Sequence, residues 1–338
     1  MSRKLAVVFP IGTLLVAMWA VRLPYYAEGP GPAKDVEPLI HVRSQQTFPS
    51  AGHFILTSVS FAGLNSFGAI DTWLDPNKSI VPQGALVAPG ETQQQADQRA
   101  VSDMDQSKID AAVVVLSKLG DYPRDHAPGV LVESNAVSPT THLEDETCPA
   151  YGKLFPGDVL QKVNGQPVSS ATGFRRQLDA IPAGKPVTIN GSTDGKPFTV
   201  TIRRRPCAGS KTPLLGIVTY PTFPFPISIS SGDIGGPSAG LMWALGLYDL
   251  LTPGDLTGNR VVAGTGEILP NGTIYPIGGV EKKVAAAKAS GAQVFLVPAG
   301  DNYRAARKVA SGLTLVPVKT FQQALSYLLA HGGSATGK

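Results

Sequence analysis

The chain is poor in the side chains that bind metals or relay protons in most enzymes. Of its 338 residues, only two are cysteine and five are histidine. Neither type shows the spacing of a metal site, so we predict no metal and no cofactor. Charged residues are also scarce, at 16%. The one short basic cluster, Arg203-Arg204-Arg205, has no interleaved aromatic residues, and nucleic acid is therefore not expected as a partner.

Long apolar runs are missing except at the N-terminus. Residues 5–21 are mostly apolar over 17 positions and follow Arg3 and Lys4. As a helix this run spans roughly 25 Å, slightly short of a ~30 Å hydrocarbon core. A cleaved signal peptide has the same layout, but no clean A-x-A site follows. We therefore favour a membrane anchor over residues 1–26 and a juxtamembrane linker over 27–50, with the rest of the chain outside the cytoplasm.

The two cysteines are Cys148 and Cys207. Outside the cytoplasm such a pair persists as a disulfide. Two unrelated buried thiols fit the sequence equally well, so the pairing stays open at this stage.

Residues 126–208 are dominated by short strands, with hairpin signals at Asn164-Gly165 and Asp194-Gly195. The run "PGDVLQKVNGQPV" resembles a PDZ domain of the type associated with bacterial proteases. The resemblance implies that Gly129-Val130-Leu131-Val132 forms a loop whose N–H groups hold a peptide carboxylate, while the next strand pairs with the peptide. The alternative is a small β-rich module that serves only as a spacer.

From Leu214 onward, strands alternate with helices, which is typical of an α/β arrangement. This region contains Gly236-Pro237-Ser238-Ala239-Gly240, a literal G-x-S-x-G. In α/β-hydrolases that pattern follows a buried strand directly. Here the strand "PISIS" ends several residues earlier, and the only histidine after Ser238 is His331. An esterase-type elbow is therefore disfavoured.

A lysine in an apolar site is another base for a serine, because burial keeps the amine neutral near pH 7. The predicted helix in "GGVEKKVAAAKASG" offers Lys282, Lys283 and Lys288. Position on the helix does not choose among them.

Two motifs in order, "GGPSAG" and "TGEILPNGTIYPIGGVEKKVAAA", resemble the proteolytic domain of Lon, whose members are Ser-Lys dyad peptidases. The resemblance implies that Ser238 is the nucleophile and that Lys283, 45 residues later, is the general base. It also places Thr265 beside the dyad, where its hydroxyl orients the lysine amine.

The chain departs from the Lon pattern just before the serine. Lon proteases usually carry Asp-Gly-Pro-Ser, whereas this chain has Gly235 and Gly236, with Asp233 further back. Loss of the acid helps to keep Lys283 neutral, and whether Asp233 compensates is open. The N–H groups of residues 235–238 and the start of the following helix are expected to hold the oxyanion.

Residues 332–338, "GGSATGK", have Walker A spacing but end the chain without the required Ser/Thr and helix, so no ATP site is predicted. Anchor, PDZ module and catalytic motifs together resemble the PDZ-containing, membrane-anchored Lon-like proteases of bacteria. This implies an ATP-independent, single-pass serine endopeptidase that cleaves exported or membrane-proximal proteins. Lon-like domains tend to form rings, which is compatible with a homo-oligomer, but the sequence leaves the oligomeric state open. The alternative is a PDZ-based membrane scaffold with a degenerate protease domain.

The resemblance also predicts the domain order. In Lon domains a strand and a helix precede the strand that leads to the serine, and "GHFILTSVS" and "MDQSKIDAAVVVLSKLG" fit those two elements. We therefore predict a mixed α+β or α/β fold in which residues 51–125 begin the protease domain, a PDZ domain at 126–208 is inserted, and 209–331 complete the domain. The alternative is a separate N-terminal domain.

Overall fold

The computed structural model describes residue 16 and residues 18–120, 122–124, 126–138 and 144–336. Of the 17 residues of the predicted anchor run, residues 5–21, twelve lie outside these described residues. Within the described part, no helix has the length and apolar character needed to cross a membrane.

The strands are β1 (Arg22–Asp35), β2 (Ile40–Val42), β3 (His53–Asn65), β4 (Ser79–Pro82), β5 (Val130–Asn135), β6 (Val159–Val163), β7 (Gln166–Pro167), β8 (Pro186–Thr193), β9 (Lys196–Arg203), β10 (Ile217–Pro221), β11 (Ile227–Ile229), β12 (Gly254–Asp255), β13 (Val261–Gly264), β14 (Glu267–Ile268), β15 (Ile274–Tyr275), β16 (Val294–Pro298), β17 (Thr314–Val318) and β18 (Ser334–Ala335). The helices are α1 (Ser66–Leu74), α2 (Gln93–Leu119), α3 (Ala171–Asp179), α4 (Gly240–Leu251), α5 (Val280–Ala289), α6 (Asp301–Ala306) and α7 (Phe321–Ala330), with short 3₁₀ turns at Glu37–Leu39, Gln83–Ala85 and Pro237–Ala239.

A mixed sheet with the strand order β17-β16-β13-β3-β1-β4 forms the centre of the larger domain. The first four strands of this order are parallel, and β1 and β4 are antiparallel additions. Successive side chains of a strand point to opposite faces. Phe54 and Leu56 accordingly join the core formed with α2, α4 and α7, whereas Ile55 joins the core on the α5 face. Both faces are covered, which explains why β13 and β16 are apolar at nearly every position.

The larger domain combines residues from both sides of the β-rich module in the chain. β3 precedes the module and pairs in parallel with β13, which follows it, from His53↔Val261 to Leu56↔Gly264. Helix α2 also precedes the module and packs against α4. The two flanking segments therefore share one sheet and one core.

The predicted linker over residues 27–50 is wrong, and so is the end of the predicted anchor at residue 26. Residues 22–35 form β1, which pairs with both β3 and β4, and residues 40–42 pair with β11. The Pro- and Gly-rich composition suggested a linker. However, β4 reaches only as far as Glu28, and the register with β3 shifts between Pro30 and Ala33. Proline is tolerated at such an irregular stretch of strand.

The β-rich module is an antiparallel sheet with the order β10-β5-β6-β8-β9. Helix α3 closes its core through Phe174 and Leu178, and Cys148 and Cys207 form a disulfide. Because β10 belongs to this sheet, the predicted end of the module at residue 208 is too early. The module extends to residue 221.

Residues 129–132, predicted as the carboxylate-binding loop of a peptide site, lie mostly within β5, and this strand is already paired on both edges. β5 pairs with β6 through Val130↔Leu160 and with β10 through Val132↔Thr219, and α3 packs against β10. Val130, Leu131 and Val132 are buried, and Gly129 leads into the strand. The expected peptide site at residues 129–132 is therefore corrected, since residues 217–221 of the same chain occupy that edge.

Residues 332–338, which the sequence assigns to a C-terminal tail after the catalytic domain, are paired with that domain in part. Ser334 and Ala335 form β18, which pairs with β12, and the N–H of Gly333 donates to the carbonyl of Leu328. The segment with Walker A spacing thus returns to the larger domain as far as residue 336.

Candidate active site

The 3₁₀ turn Pro237–Ala239 presents Ser238 just ahead of α4. A Cβ at Gly240 would lie 2.7 Å from Cγ2 of Ile268, so only glycine lets the helix start pack this closely on β14. The Ser238 carbonyl accepts hydrogen bonds from the N–H of Gly266 (2.8 Å) and the hydroxyl of Thr265 (3.0 Å). The serine is therefore fixed against the segment that follows β13, without the strand-to-helix elbow of an α/β-hydrolase.

Lys283 lies in the first part of α5, which packs against β1 and β3. Its side chain is only 2% exposed, and its Nζ lies 2.6 Å from the Oγ of Ser238 and 3.1 Å from the Oγ1 of Thr265. Lys288, on the same helix, is exposed. The structure thus brings Ser238, Thr265 and Lys283 into direct contact from three separate segments.

The environment of Lys283 favours the neutral amine. Burial lowers its pKa from 10.5 to about 7, and the negative charge of Glu28 acts in the opposite direction. Val280 and Val284 on the same helix belong to the apolar core on the α5 face of the central sheet. Near neutral pH, a substantial fraction of this amine is therefore free to accept a proton.

Glu28 is a residue of the site that the sequence did not predict. It lies on β1, and its Oε1 is 2.8 Å from the position that a Cβ would take at Gly279, the residue before α5. That Cβ would also lie 2.6 Å from Cγ1 of Val59, and Gly279 has a left-handed φ of 65°. Glycine therefore lets the Glu28 carboxylate reach the N-terminal end of α5, where the helix dipole favours negative charge. No motif in the Pro- and Gly-rich segment around Glu28 signals this contact.

The loop before the serine is held by α2. The N–H of Gly236 donates to the carbonyl of Ala100 at 2.6 Å, and a Cβ at Gly235 would lie 2.9 Å from the Cβ of Ala100. The Gly236 N–H is therefore engaged, which corrects its expected role as an oxyanion donor. Its place in the site is to fix the loop that leads to Ser238.

Two other predicted residues lie apart from the contacting side chains. Asp233 is exposed on the loop, and no hydrogen bond or ion pair within the described residues joins it to Ser238 or Lys283. His331 follows α7, where its Nδ1 is 2.7 Å from the carbonyl of Tyr327 and its ring stacks on the Tyr327 ring. The base that contacts Ser238 is therefore Lys283, and neither Asp233 nor His331 reaches it.

Residues 227–331 match the Lon protease (S16) C-terminal proteolytic domain. This Lon-type domain indicates a serine peptidase.

Curated relatives of the Lon-type domain are longer proteins. The chain is 43% identical over 98 residues to Lon protease 2 of Bacillus subtilis, covering 29% of this chain and 17% of that protein. It is 38% identical over 96 residues to a Lon protease of Roseiflexus castenholzii, covering 28% of this chain and 11% of that protein. The matched region thus spans less than a fifth of either relative.

Among solved structures, the chain is similar to the PDZ domain of the SdrC-like protein from Listeria innocua. The identity is 28% and the TM-score is 0.22, with 27% of this chain and 92% of that chain covered. The corresponding domain from Listeria monocytogenes shows 24% identity and a TM-score of 0.23.

Proposed function

We propose that the chain is an ATP-independent serine endopeptidase in which Ser238 and Lys283 form a catalytic dyad. The observation that carries this proposal is the 2.6 Å contact between Nζ of Lys283 and Oγ of Ser238, made by a buried lysine whose pKa is lowered by burial to about 7. The match to a Lon-type proteolytic domain supports the same reaction class.

In the proposed mechanism the neutral amine of Lys283 accepts the proton of the Ser238 hydroxyl as Oγ attacks the scissile carbonyl. The ammonium then donates this proton to the leaving amine, which leaves an acyl-enzyme on Ser238. The same amine next activates the water that hydrolyses the ester. Thr265 holds Nζ through its Oγ1 and donates its own proton to the Ser238 carbonyl, so it fixes both partners.

The oxyanion needs N–H donors that are not engaged elsewhere. The first N–H groups of a helix lack partners within the helix and lie at its positive end. We assign this role to the N–H groups of Ser238 and Ala239, at the start of the turn that leads into α4.

The β-rich module then acts as a support of PDZ type rather than as an open peptide site, because β10 fills the edge of β5. Its contacts with α2 support this assignment. The side chain of Gln106 donates to Glu133 and that of Ser102 donates to Glu144, both at 2.7 Å. α2 in turn holds the loop before the nucleophile.

Exported or membrane-proximal proteins are the proposed substrates, with the catalytic part outside the cytoplasm. The Cys148–Cys207 disulfide supports this location, since such bonds persist mainly in oxidising compartments. The membrane anchor stays a prediction from the sequence for the residues before β1, which begins at Arg22.

The proposed function is tested with the full chain and unfolded casein in the absence of nucleotide. We expect proteolytic fragments, and none with the Ser238→Ala variant, because the nucleophile is removed. Fragment release is measured by fluorescence of labelled casein and by gel electrophoresis. Folded wild-type protein that cleaves nothing would support the scaffold alternative instead.

A second prediction concerns Glu28. The Glu28→Gln variant removes the negative charge that raises the pKa of Lys283, so the acidic limb of the pH profile of kcat/KM should move to lower pH, by roughly 0.3 to 1 unit. The matched control is Glu281→Gln, because Glu281 is an exposed acid in the first turn of α5. In this variant the acidic limb of the pH profile should not move. A shift to higher pH in Glu28→Gln would contradict the assignment.

A further inference from the structure

A cavity of about 220 Å³ lies between α2, the turn that carries Ser238, and β14. It has room for about seven waters at ~30 Å³ each. Its wall includes Pro237, the residue before the nucleophile, whose carbonyl is held by the hydroxyl of Ser107. Asp103, Asp110 and Glu267 also line it, and none of its lining residues is basic. The cavity is therefore acidic, and it lies against the residue that precedes Ser238, although Ser238 itself does not line it.

Asp110 gives the cavity an unmatched acceptor. It is only 3% exposed, and its Oδ1 has no hydrogen-bond partner in the part of the chain that the structure describes. The neighbouring acid Glu133, by contrast, accepts hydrogen bonds from Gln106 and Ser134. A buried carboxyl oxygen without a hydrogen-bond donor is costly, and a ligand that brings donors into the cavity would relieve that cost and favour the ionised form of Asp110.

The electrostatics of the cavity agree with a missing positive charge. Burial raises the pKa of Asp110 to about 8, helped by the charges of Glu133 and Glu267. Burial also raises the pKa of Asp103 to about 6, although Arg99 opposes this. A cation placed among these carboxyl groups would offset both desolvation and mutual repulsion.

The shape of the cluster indicates which cation fits. Across the described residues, no group of three or more acidic, histidine or cysteine side chains converges closely enough to hold a metal ion. An ammonium or guanidinium group presents several N–H donors in different directions, and it reaches carboxylates that do not converge on one point.

We propose that this cavity binds the side chain of a substrate lysine or arginine next to the scissile bond. The proposal rests on the proposed peptidase function and names its substrate class. Pro237 places the cavity one residue from Ser238, and Asp110 supplies the acceptor at its wall.

The test uses fluorogenic peptides of one sequence, with lysine or its uncharged analogue norleucine placed in turn at each of two positions on either side of the scissile bond. An arginine and citrulline pair repeats the comparison. At one position, wild-type full chain should show a ratio of kcat/KM for lysine over norleucine of about tenfold or more. In Asp110→Asn this ratio should fall to about threefold or less. The control is Asp105→Asn, since Asp105 forms an ion pair with Lys108 on the same helix. This variant should leave the ratio unchanged.

Glu267→Gln is a second variant in case Asp110→Asn does not fold, as judged by thermal unfolding, and it should lower the same ratio. Two outcomes would overturn the basic subsite and leave the peptidase proposal intact. In the first, the wild type cleaves peptides without a preference for basic residues. In the second, both variants keep that preference. No turnover by folded wild type would overturn both. Loss of self-association in Asp110→Asn at an unchanged ratio would assign the cavity to a second copy of the chain, which also overturns the proposal.

Discussion

Replacing Lys283 with methionine is expected to reduce peptide hydrolysis by about 10³-fold or more, because members of a nucleophile–base pair act as a unit. Methionine has a similar unbranched length and no charge, so it fits a site where lysine is only 2% exposed and packed among apolar residues. The folded state should therefore persist while the proton acceptor is lost. The measurement is kcat for a fluorogenic peptide, together with thermal unfolding to verify the fold.

The matched control is Lys288→Met, which removes a lysine from the same helix at an exposed position and should leave kcat within about twofold, as is usual for surface substitutions. The opposite pattern is informative as well. If Lys283→Met retained activity and His331→Ala abolished it, the dyad would be wrong and a histidine base would be indicated.

Activity is also expected to depend steeply on pH below neutrality. The reactive form of Lys283 is the neutral amine, and burial lowers its pKa to about 7. Each pH unit below this value should reduce kcat/KM about tenfold, which gives roughly 100-fold at pH 5. The profile of kcat/KM in overlapping buffers measures this limb.

Unfolding is not expected to produce the same acidic limb between pH 8 and pH 5. Burial raises the pKa of Asp110 and of Glu37 to about 8 each, so these carboxyl groups bind protons more tightly in the folded chain than in the unfolded one. Their contribution to stability is therefore present at low pH and is lost as the pH rises toward 8. Circular dichroism across the same range separates the two effects. A flat kcat/KM down to pH 5 in folded protein would exclude Lys283 as the base.

The local parts of the site were predictable from the sequence. The glycines around Ser238 and Lys283 mark positions where backbone segments approach closely, and Gly240 and Gly279 each leave no room for a Cβ. The atoms that exclude a Cβ at Gly279 belong to a distant segment, so the sequence shows this requirement only as a fixed residue type within a motif. The resemblance of the two motifs to the Lon proteolytic domain predicted the contact between Ser238, Thr265 and Lys283. The strand and helix before the β-rich module were predictable for a similar reason, since apolar periodicity is local.

Contacts that neither a motif nor the family resemblance covers were not predictable. β1 looked like a linker because Pro30 and Gly31 suit an irregular segment equally well, and only pairing with β3 makes it a strand. Glu28 acquires its role only through that pairing. Likewise, residues 217–221 read as an ordinary strand, and nothing local indicates that they fill the edge of β5.

The split of the larger domain around the β-rich module has a consequence for how the chain reaches its native state. Thr57 on β3 donates to the carbonyl of Gly264 across 207 residues, so one edge of β3 has no native neighbour until β13 has been synthesised. Closing a flexible loop of that length is entropically unfavourable. Early folding of residues 126–221 shortens the loop, because the two ends of the folded module lie close together. The rate at which β3 meets β13 therefore depends on a module that contributes no strand to their sheet.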